Sequence, residues 1–183
     1  MTAIGLVESV TERRSGQALL AVFAISTATI LAAWAFELVG GYVPCPLCLQ
    51  QRWPYYAVVP LSALLLVLLA ADSPGARLAR PGLVVIALIM AAGAALAAYH
   101  AGVEWKWWAG PAACAVGGGL SGGLPDFDTA RVIACDEAQW RLLGLSFAGW
   151  NFVVSLAVAG LALWGAMGPR RPAHGSSSVS QYR

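Results

Sequence analysis

The cysteine pair in Cys45-Pro46-Leu47-Cys48 is the feature of this sequence best suited to do chemistry. A Cys-X-X-Cys pair can cycle between dithiol and disulfide, and a thiolate at a helix N-terminus or beside a cation is stabilised and reactive. Cys48 combines both influences, because Arg52 follows one helical turn later. The same motif can form half of a zinc site, but Cys114 and Cys135 form no second Cys-X-X-Cys. The pattern therefore favours redox chemistry over zinc binding.

The composition indicates an integral membrane protein. Of the 183 residues, 59% are hydrophobic and only 11% are charged, which is unlike a soluble domain. Four segments are apolar and long enough to cross about 30 Å of hydrocarbon, and each is predicted to be a helix because backbone groups need internal partners there. The first resembles a signal peptide, but its apolar run, 18–35, is longer than a usual signal core. The predicted helices are 17–39, 53–71, 82–100 and 145–167.

The sequence therefore predicts an all-α membrane protein, a four-transmembrane-helix bundle over 17–168 with tails at 1–16 and 169–183. Seven of the eleven Lys and Arg residues lie in the tails and the short 72–81 connection, which predicts that these parts are cytoplasmic. The two cysteine-bearing loops, 40–52 and 101–144, then face the outer compartment, where disulfides persist. The expected surrounding is the lipid bilayer, and the net charge of +2 gives no indication of nucleic-acid binding.

Two polar residues are predicted to share the outer layer of the bundle. Arg52 and His100 each lie about 30 Å from the 72–81 connection at 1.5 Å per helical residue, and this short connection makes their helices antiparallel neighbours. The two side chains can then meet the Cys45–Cys48 motif. The alternatives are that Arg52 only extends to the lipid headgroups and that His100 only caps a helix end. Glu37 and Gln51 fit an interfacial role better than a chemical one.

The second cysteine pair lies in a loop of different character. Between Cys114 and Cys135 come the glycines of 117–119 and 122–123 and then Pro125, a composition that predicts a mobile loop suited to a sulfur that must travel. As a purely structural staple, a bond between these cysteines would contribute roughly 3 kcal/mol. Four cysteines allow three pairings, and the spacing alone does not choose among them.

Three segments together resemble the DsbB family, disulfide bond formation protein B. They are Pro-Cys-Pro-Leu-Cys-Leu-Gln-Gln-Arg at 44–52, Tyr99-His100 at the end of the third helix, and Gln-Trp-Arg-Leu-Leu-Gly-Leu-Ser at 139–146. The resemblance covers about residues 17–168. It implies a quinone-dependent disulfide oxidoreductase of the bacterial inner membrane, which reoxidises a periplasmic DsbA-type thioredoxin-fold protein. Its electrons would pass to ubiquinone or menaquinone, sustaining protein disulfide bond formation.

The resemblance also implies a role for each cysteine. The redox pairs would be Cys45–Cys48 and Cys114–Cys135. The partner's thiolate would attack Cys114, Cys135 would then engage Cys45, and Cys48 would meet the quinone ring. Arg52 would stabilise the Cys48 thiolate and the charge that develops on the quinone. The implied quinone-binding residues are Arg52, His100, Cys48, Leu96 and Val103.

One position departs from the family pattern. The family often has an acidic residue just before the arginine, whereas this chain has Gln51. A proton-transfer role at that position is therefore not expected to carry over.

Three other classes compete with this interpretation. A structural four-helix protein with stapled loops would have two inert cysteine pairs. A vitamin-K-epoxide-reductase-like enzyme shares the four helices, the two pairs and the quinone, but its Cys-X-X-Cys lies near the end of a late helix. A haem-carrying anchor would need two axial ligands, and His100 and His174 are predicted on opposite sides of the membrane.

Overall fold

Four long helices make up most of the described part of the protein. The computed structural model describes residues 14–71, 74–114 and 134–168. In chain order the helices are α1 (Arg14–Leu38), the short α2 (Pro46–Gln50), α3 (Trp53–Ala70), α4 (Ala79–Glu104) and α5 (Phe147–Ala166). Short 3₁₀ segments occupy Pro74–Leu78 and Ala112–Cys114. Within these described ranges, four spans are long and apolar enough to cross a membrane: Arg14–Leu38, Pro46–Ala70, Ala76–Glu104 and Phe147–Ala166. The predicted all-α, four-helix fold class is confirmed.

The four long helices pack in a ring, in which α1 contacts α3 and α5, α3 contacts α4, and α4 packs along α5. The side chains buried between them are mostly apolar, among them Leu19, Leu83, Ile86 and Met90. Large apolar side chains also cover the outside, as at Leu31, Leu64 and Leu88. An apolar exterior of this kind suits hydrocarbon rather than water.

Glycines allow the helices to approach closely. A Cβ at Gly165 of α5 would lie 2.3 Å from the Cβ of Ala18 in α1, and a Cβ at Gly93 of α4 would lie 3.0 Å from Pro54 Cγ. Close approach at small residues is typical of helix packing in membranes, where burial of apolar surface provides little drive.

Helix α4 continues one turn beyond its predicted end at His100. The run Ala101-Gly102-Val103 sustains the helix, which ends where Lys106 adopts a left-handed conformation with φ of 61° and the Trp107 N–H donates to the Gly102 carbonyl at 2.9 Å. This extra turn brings Glu104 onto the same face as His100. Similarly, the predicted loop 40–52 contains the helix α2, which begins at Pro46, a residue suited to the first helical position.

A tight hairpin precedes α5. Strands β1 (Arg141–Leu142) and β2 (Leu145–Ser146) pair antiparallel through Leu143 and Gly144, both with positive φ, as a two-residue hairpin turn requires. Ser146 then caps α5 by accepting the Gly149 N–H at 3.2 Å. The predicted glycine-rich loop 117–125 and the tails 1–13 and 169–183 lie outside the described residues.

Candidate redox site

The Cys45–Cys48 motif forms the start of α2. Cys45 is the N-cap, and its sulfur accepts the backbone N–H of Cys48 at 3.1 Å. Hydrogen bonding with Cys48 lowers the pKa of the Cys45 thiol from 9.0 to about 5; His100 acts in the same direction, while burial opposes it. The sequence predicts the effect of the helix N-terminus at Cys48. In the structure it acts on Cys45, because Cys45 occupies the cap position and its sulfur faces the free backbone donors.

The two cysteine pairs adjoin each other. Cys114 and Cys135 form a disulfide with a Cα–Cα distance of 5.2 Å, whereas Cys45 and Cys48 are free thiols. Cys45, Cys114 and Cys135 belong to one buried apolar cluster with Leu47 and Val103, against which Cys48 and Leu96 pack. The resemblance implied this pairing at Cys114–Cys135, and the folded chain brings the bonded pair against the free one.

His100 lies between the two pairs. Its Nε2 atom is 3.7 Å from the Cys45 sulfur and 3.2 Å from the Cys135 carbonyl oxygen. The ligand atoms of Cys45, His100 and Cys135 all lie within 4.8 Å of one another, which is close enough for three ligands of one metal ion such as zinc. The Cys135 sulfur is bonded to Cys114, so it is not a thiolate ligand in this state.

Arg52 forms an ion pair that joins two helices. Its Nη1 atom donates to Glu37 Oε2 of α1 at 2.5 Å, and the two side chains are 13% and 33% exposed. The sequence favours an interfacial role for Glu37 over a chemical one. In the structure Glu37 is partly exposed and pairs with the Arg52 guanidinium, and both side chains line the pocket described next.

A pocket opens beside the free pair, between α1, the start of α3 and the segment before α5. The space between its walls, including the open mouth, is about 860 Å³. Cys45, Cys48, Arg52 and His100 all line it. Leu96 and Val103 are not among the described lining residues and pack against the sulfur cluster instead. Aromatic side chains form one wall: Phe36, Tyr42, Trp140 and Phe147.

Several polar residues of the site were missed by the sequence argument. Glu104 lies with Oε1 4.0 Å from His100 Nε2, and its other oxygen accepts a hydrogen bond from the Ser146 hydroxyl. Asn151 of α5 and Tyr55 of α3 form hydrogen bonds in the same region. The i,i+4 spacing of His100 and Glu104 and the presence of an amide within an apolar helix were the available signals, because polar groups inside membrane helices are often functional.

A second ion pair lies outside the membrane-spanning helices. Lys106, just after α4, donates to the carboxylate of Asp136, which follows Cys135. It therefore joins the two described ends of the cysteine loop. The side chains are 61% and 46% exposed, so the pair orients these ends more than it stabilises the fold.

We expect the Asp136 carboxyl to titrate below its ordinary value of about 3.9, because the hydrogen bond and charge of Lys106 lower its pKa. Since the folded-state pKa is lowered, the contribution of the pair is complete above the ordinary value and is lost as pH falls through the lowered one. NMR titration of the aspartate carboxyl carbons measures this. Lys106→Gln should return Asp136 to the ordinary range, and the control Arg77→Gln should not. An unchanged Asp136 titration in Lys106→Gln would contradict the assignment.

The fold and site together define a membrane-embedded protein in which two cysteine pairs meet beside a pocket. Comparison with known proteins agrees: the family model for disulfide bond formation protein DsbB matches residues 14–165. Proteins called disulfide bond formation protein B from a Polaromonas species and from Verminephrobacter eiseniae are each 31% identical, over 78% and 82% of this chain and 88% and 85% of their own lengths. One from an Azoarcus species is also 31% identical, over 82% of this chain and 92% of its own length.

The chain therefore belongs to the DsbB family. Members of that family are membrane disulfide oxidoreductases that generally use quinones. No solved structure matches this chain.

Proposed function

We propose that this protein is a quinone-dependent disulfide oxidoreductase of the bacterial inner membrane. It reoxidises a periplasmic DsbA-type thioredoxin-fold protein and passes the electrons to ubiquinone or menaquinone, which sustains disulfide formation in secreted proteins. The observation that carries this proposal is the contact between the two cysteine pairs at a pocket lined by Cys48, Arg52 and His100.

The proposed cycle begins at the second pair. A thiolate of the partner attacks the Cys114 sulfur, forming a mixed disulfide, and Cys135 leaves as a thiolate. Cys135 attacks Cys45 of the oxidised first pair, so a Cys45–Cys135 bond forms and Cys48 leaves as a thiolate. The ligand atoms of Cys45, His100 and Cys135 lie within 4.8 Å of one another, which supports this exchange.

The second half of the cycle restores both disulfides. The partner's second thiolate attacks the mixed disulfide, releasing oxidised partner and the Cys114 thiolate. Cys114 then attacks Cys135, which reforms their bond and frees Cys45. Reoxidation of Cys45 and Cys48 to a disulfide removes two electrons and two protons from the pair. A bound quinone would accept both the electrons and the protons.

The residues of the pocket fit a planar quinone. The aromatic wall supplies flat apolar surface, and Arg52 is a donor fixed by Glu37 that can bind an oxygen on which negative charge develops. The direction of electron flow agrees with the potentials. DsbA-type proteins have potentials of about −120 mV, so only a strongly oxidising acceptor keeps them oxidised. The distribution of Lys and Arg supports an orientation with cytoplasmic termini and periplasmic cysteine loops.

Thiol trapping tests the function directly. The protein is purified in detergent with quinone, and the redox state of its four cysteines is read by mass spectrometry before and after reduced DsbA-type protein is added. We expect partner oxidation coupled to quinone reduction, with both cysteine pairs cycling. If neither pair changes state, the structural four-helix interpretation is favoured.

We expect Cys114, rather than Cys135, to form the mixed disulfide with the partner. Cys114 lines a groove with Val103, Trp108 and Asp136, whereas Cys135 is the more buried of the two and its carbonyl is held by His100. The complex is trapped with a partner that lacks its second cysteine, and the crosslink is identified by peptide mapping. In the chain with its Cys114–Cys135 disulfide intact, the crosslink should map to Cys114. A crosslink found at Cys135 in the unmodified chain would refute the assignment.

A further inference from the structure

A continuous series of hydrogen bonds runs from α5 to the ring of His100. Ser155 Oγ lies 3.0 Å from the Tyr55 hydroxyl, which donates to Asn151 Oδ1 at 2.6 Å. Asn151 Nδ2 donates to Gln51 Oε1 at 2.6 Å, and Gln51 Nε2 lies 2.6 Å from His100 Nδ1.

The direction of these bonds fixes where the ring proton of neutral His100 lies. The tyrosine hydroxyl has one proton, and each carboxamide has an oxygen that only accepts and a nitrogen that only donates. Because Tyr55 donates to Asn151, Asn151 donates onward to Gln51, and Gln51 must donate to the ring. The Nδ1 atom of His100 is therefore an acceptor, and the ring carries its proton on Nε2.

We propose that Tyr55, Asn151 and Gln51 are positioning residues that lock His100 in the Nε2–H tautomer. The ring then presents an N–H donor toward the Cys45 sulfur at 3.7 Å and the Cys135 carbonyl at 3.2 Å. An ionised acidic residue at position 51 would instead accept from Nδ1–H. Gln51 thus gives this chain a donor at the meeting point of the cysteine pairs without requiring a charged imidazole.

The expected consequence is a more reactive Cys45. The His100 N–H supplements the Cys48 backbone N–H at the Cys45 sulfur, and two donors stabilise a thiolate more than one. The role of Cys45 in the cycle rests on the proposed function. The tautomer does not, because it can be measured without quinone or partner, so the two proposals can fail separately.

The tautomer can be read by ¹⁵N NMR after labelling with ring-¹⁵N histidine. The chain has only two histidines, and His174→Gln assigns the signals of His100. Spectra are recorded over a pH series that extends well above the ordinary imidazole value of about 6.5, until the ring signals are those of the neutral form. We expect one tautomer, with bare Nδ1 and protonated Nε2.

Asn151→Asp is the decisive variant, because it changes a side chain that acts on the ring through Gln51. The introduced carboxylate only accepts, so the Gln51 amide should turn, present its oxygen to the ring and move the proton to Nδ1. Gln51→Glu should produce the same shift directly. In both variants, alkylation of Cys45 in the dithiol form should slow several-fold. Ser62→Ala is the matched control, since it removes a buried hydroxyl of α3 that bonds the Val58 carbonyl.

Two outcomes would overturn the proposal. One is a proton on Nδ1 in the unmodified chain. The other is a bare Nδ1 in both Asn151→Asp and Gln51→Glu at the highest pH of the series, where the introduced carboxylates are ionised. Ser62→Ala should leave the tautomer unchanged, so that a general packing disturbance does not explain the shift in the other two variants.

Discussion

Replacing Cys48 with serine is expected to lower quinone-linked turnover by on the order of a thousandfold or more, because the change removes the sulfur that must release electrons to the quinone. Cys48 is half-buried in the pocket beside Arg52, and its backbone N–H is bonded to Cys45. Serine keeps the size of the side chain but cannot form a disulfide. Steady-state turnover with reduced partner and quinone measures the loss.

An absorption measurement on further variants distinguishes loss of the Cys48 thiolate from loss of the fold. Cys45→Ser leaves Cys48 without its disulfide mate, so the Cys48 thiolate remains beside the quinone and should produce a visible thiolate–quinone absorption band. The double variant, Cys45→Ser with Cys48→Ser, should lack the band. Cys114→Ser is the control: it should stop partner oxidation and, added to Cys45→Ser, leave the band intact. Persistence of the band in the double variant would reject Cys48 as the quinone-facing thiolate.

Replacing Arg52 with glutamine is expected to lower kcat/KM for quinone by about 10- to 100-fold, the range for loss of one hydrogen bond to a charged group. The effect on kcat/KM for the reduced partner should be much smaller, because the partner reacts at Cys114. Lysine keeps the charge but loses the planar pair of donors, so Arg52→Lys should lie between arginine and glutamine. Kinetics with quinone and partner varied separately measure this.

Glu37→Gln provides the matched control for Arg52. It removes the ion pair but leaves the guanidinium in place, so it should cost less quinone efficiency than Arg52→Gln. Thermal unfolding of both variants shows whether the unpaired charge destabilises the bundle. If Arg52→Gln leaves kcat and KM for quinone unchanged, the guanidinium only extends to the lipid headgroups. The proposed quinone pocket then loses its main support.

Much of this protein could be predicted from its sequence because the signals are local. Four long apolar segments require helices in hydrocarbon, which predicted the fold class. The Cys-X-X-Cys-X-X-X-Arg spacing indicated the family. Equal distances from a short connection predicted that Arg52 and His100 share one layer, and both side chains do line the same pocket.

Only the tertiary structure decided which side chains contact the cysteines, Arg52 and His100. Membrane helices are apolar on every face, so their sequences carry little periodicity to show which face turns inward. The position of Glu104 beside His100 depended on where α4 ends, and the N-cap role of Cys45 depended on where α2 begins. The bond from Asn151 to Gln51 joins positions 100 residues apart, on helices with no pattern in common. Hydrogen bonds over such separations follow from how the helices pack, which local spacing does not encode.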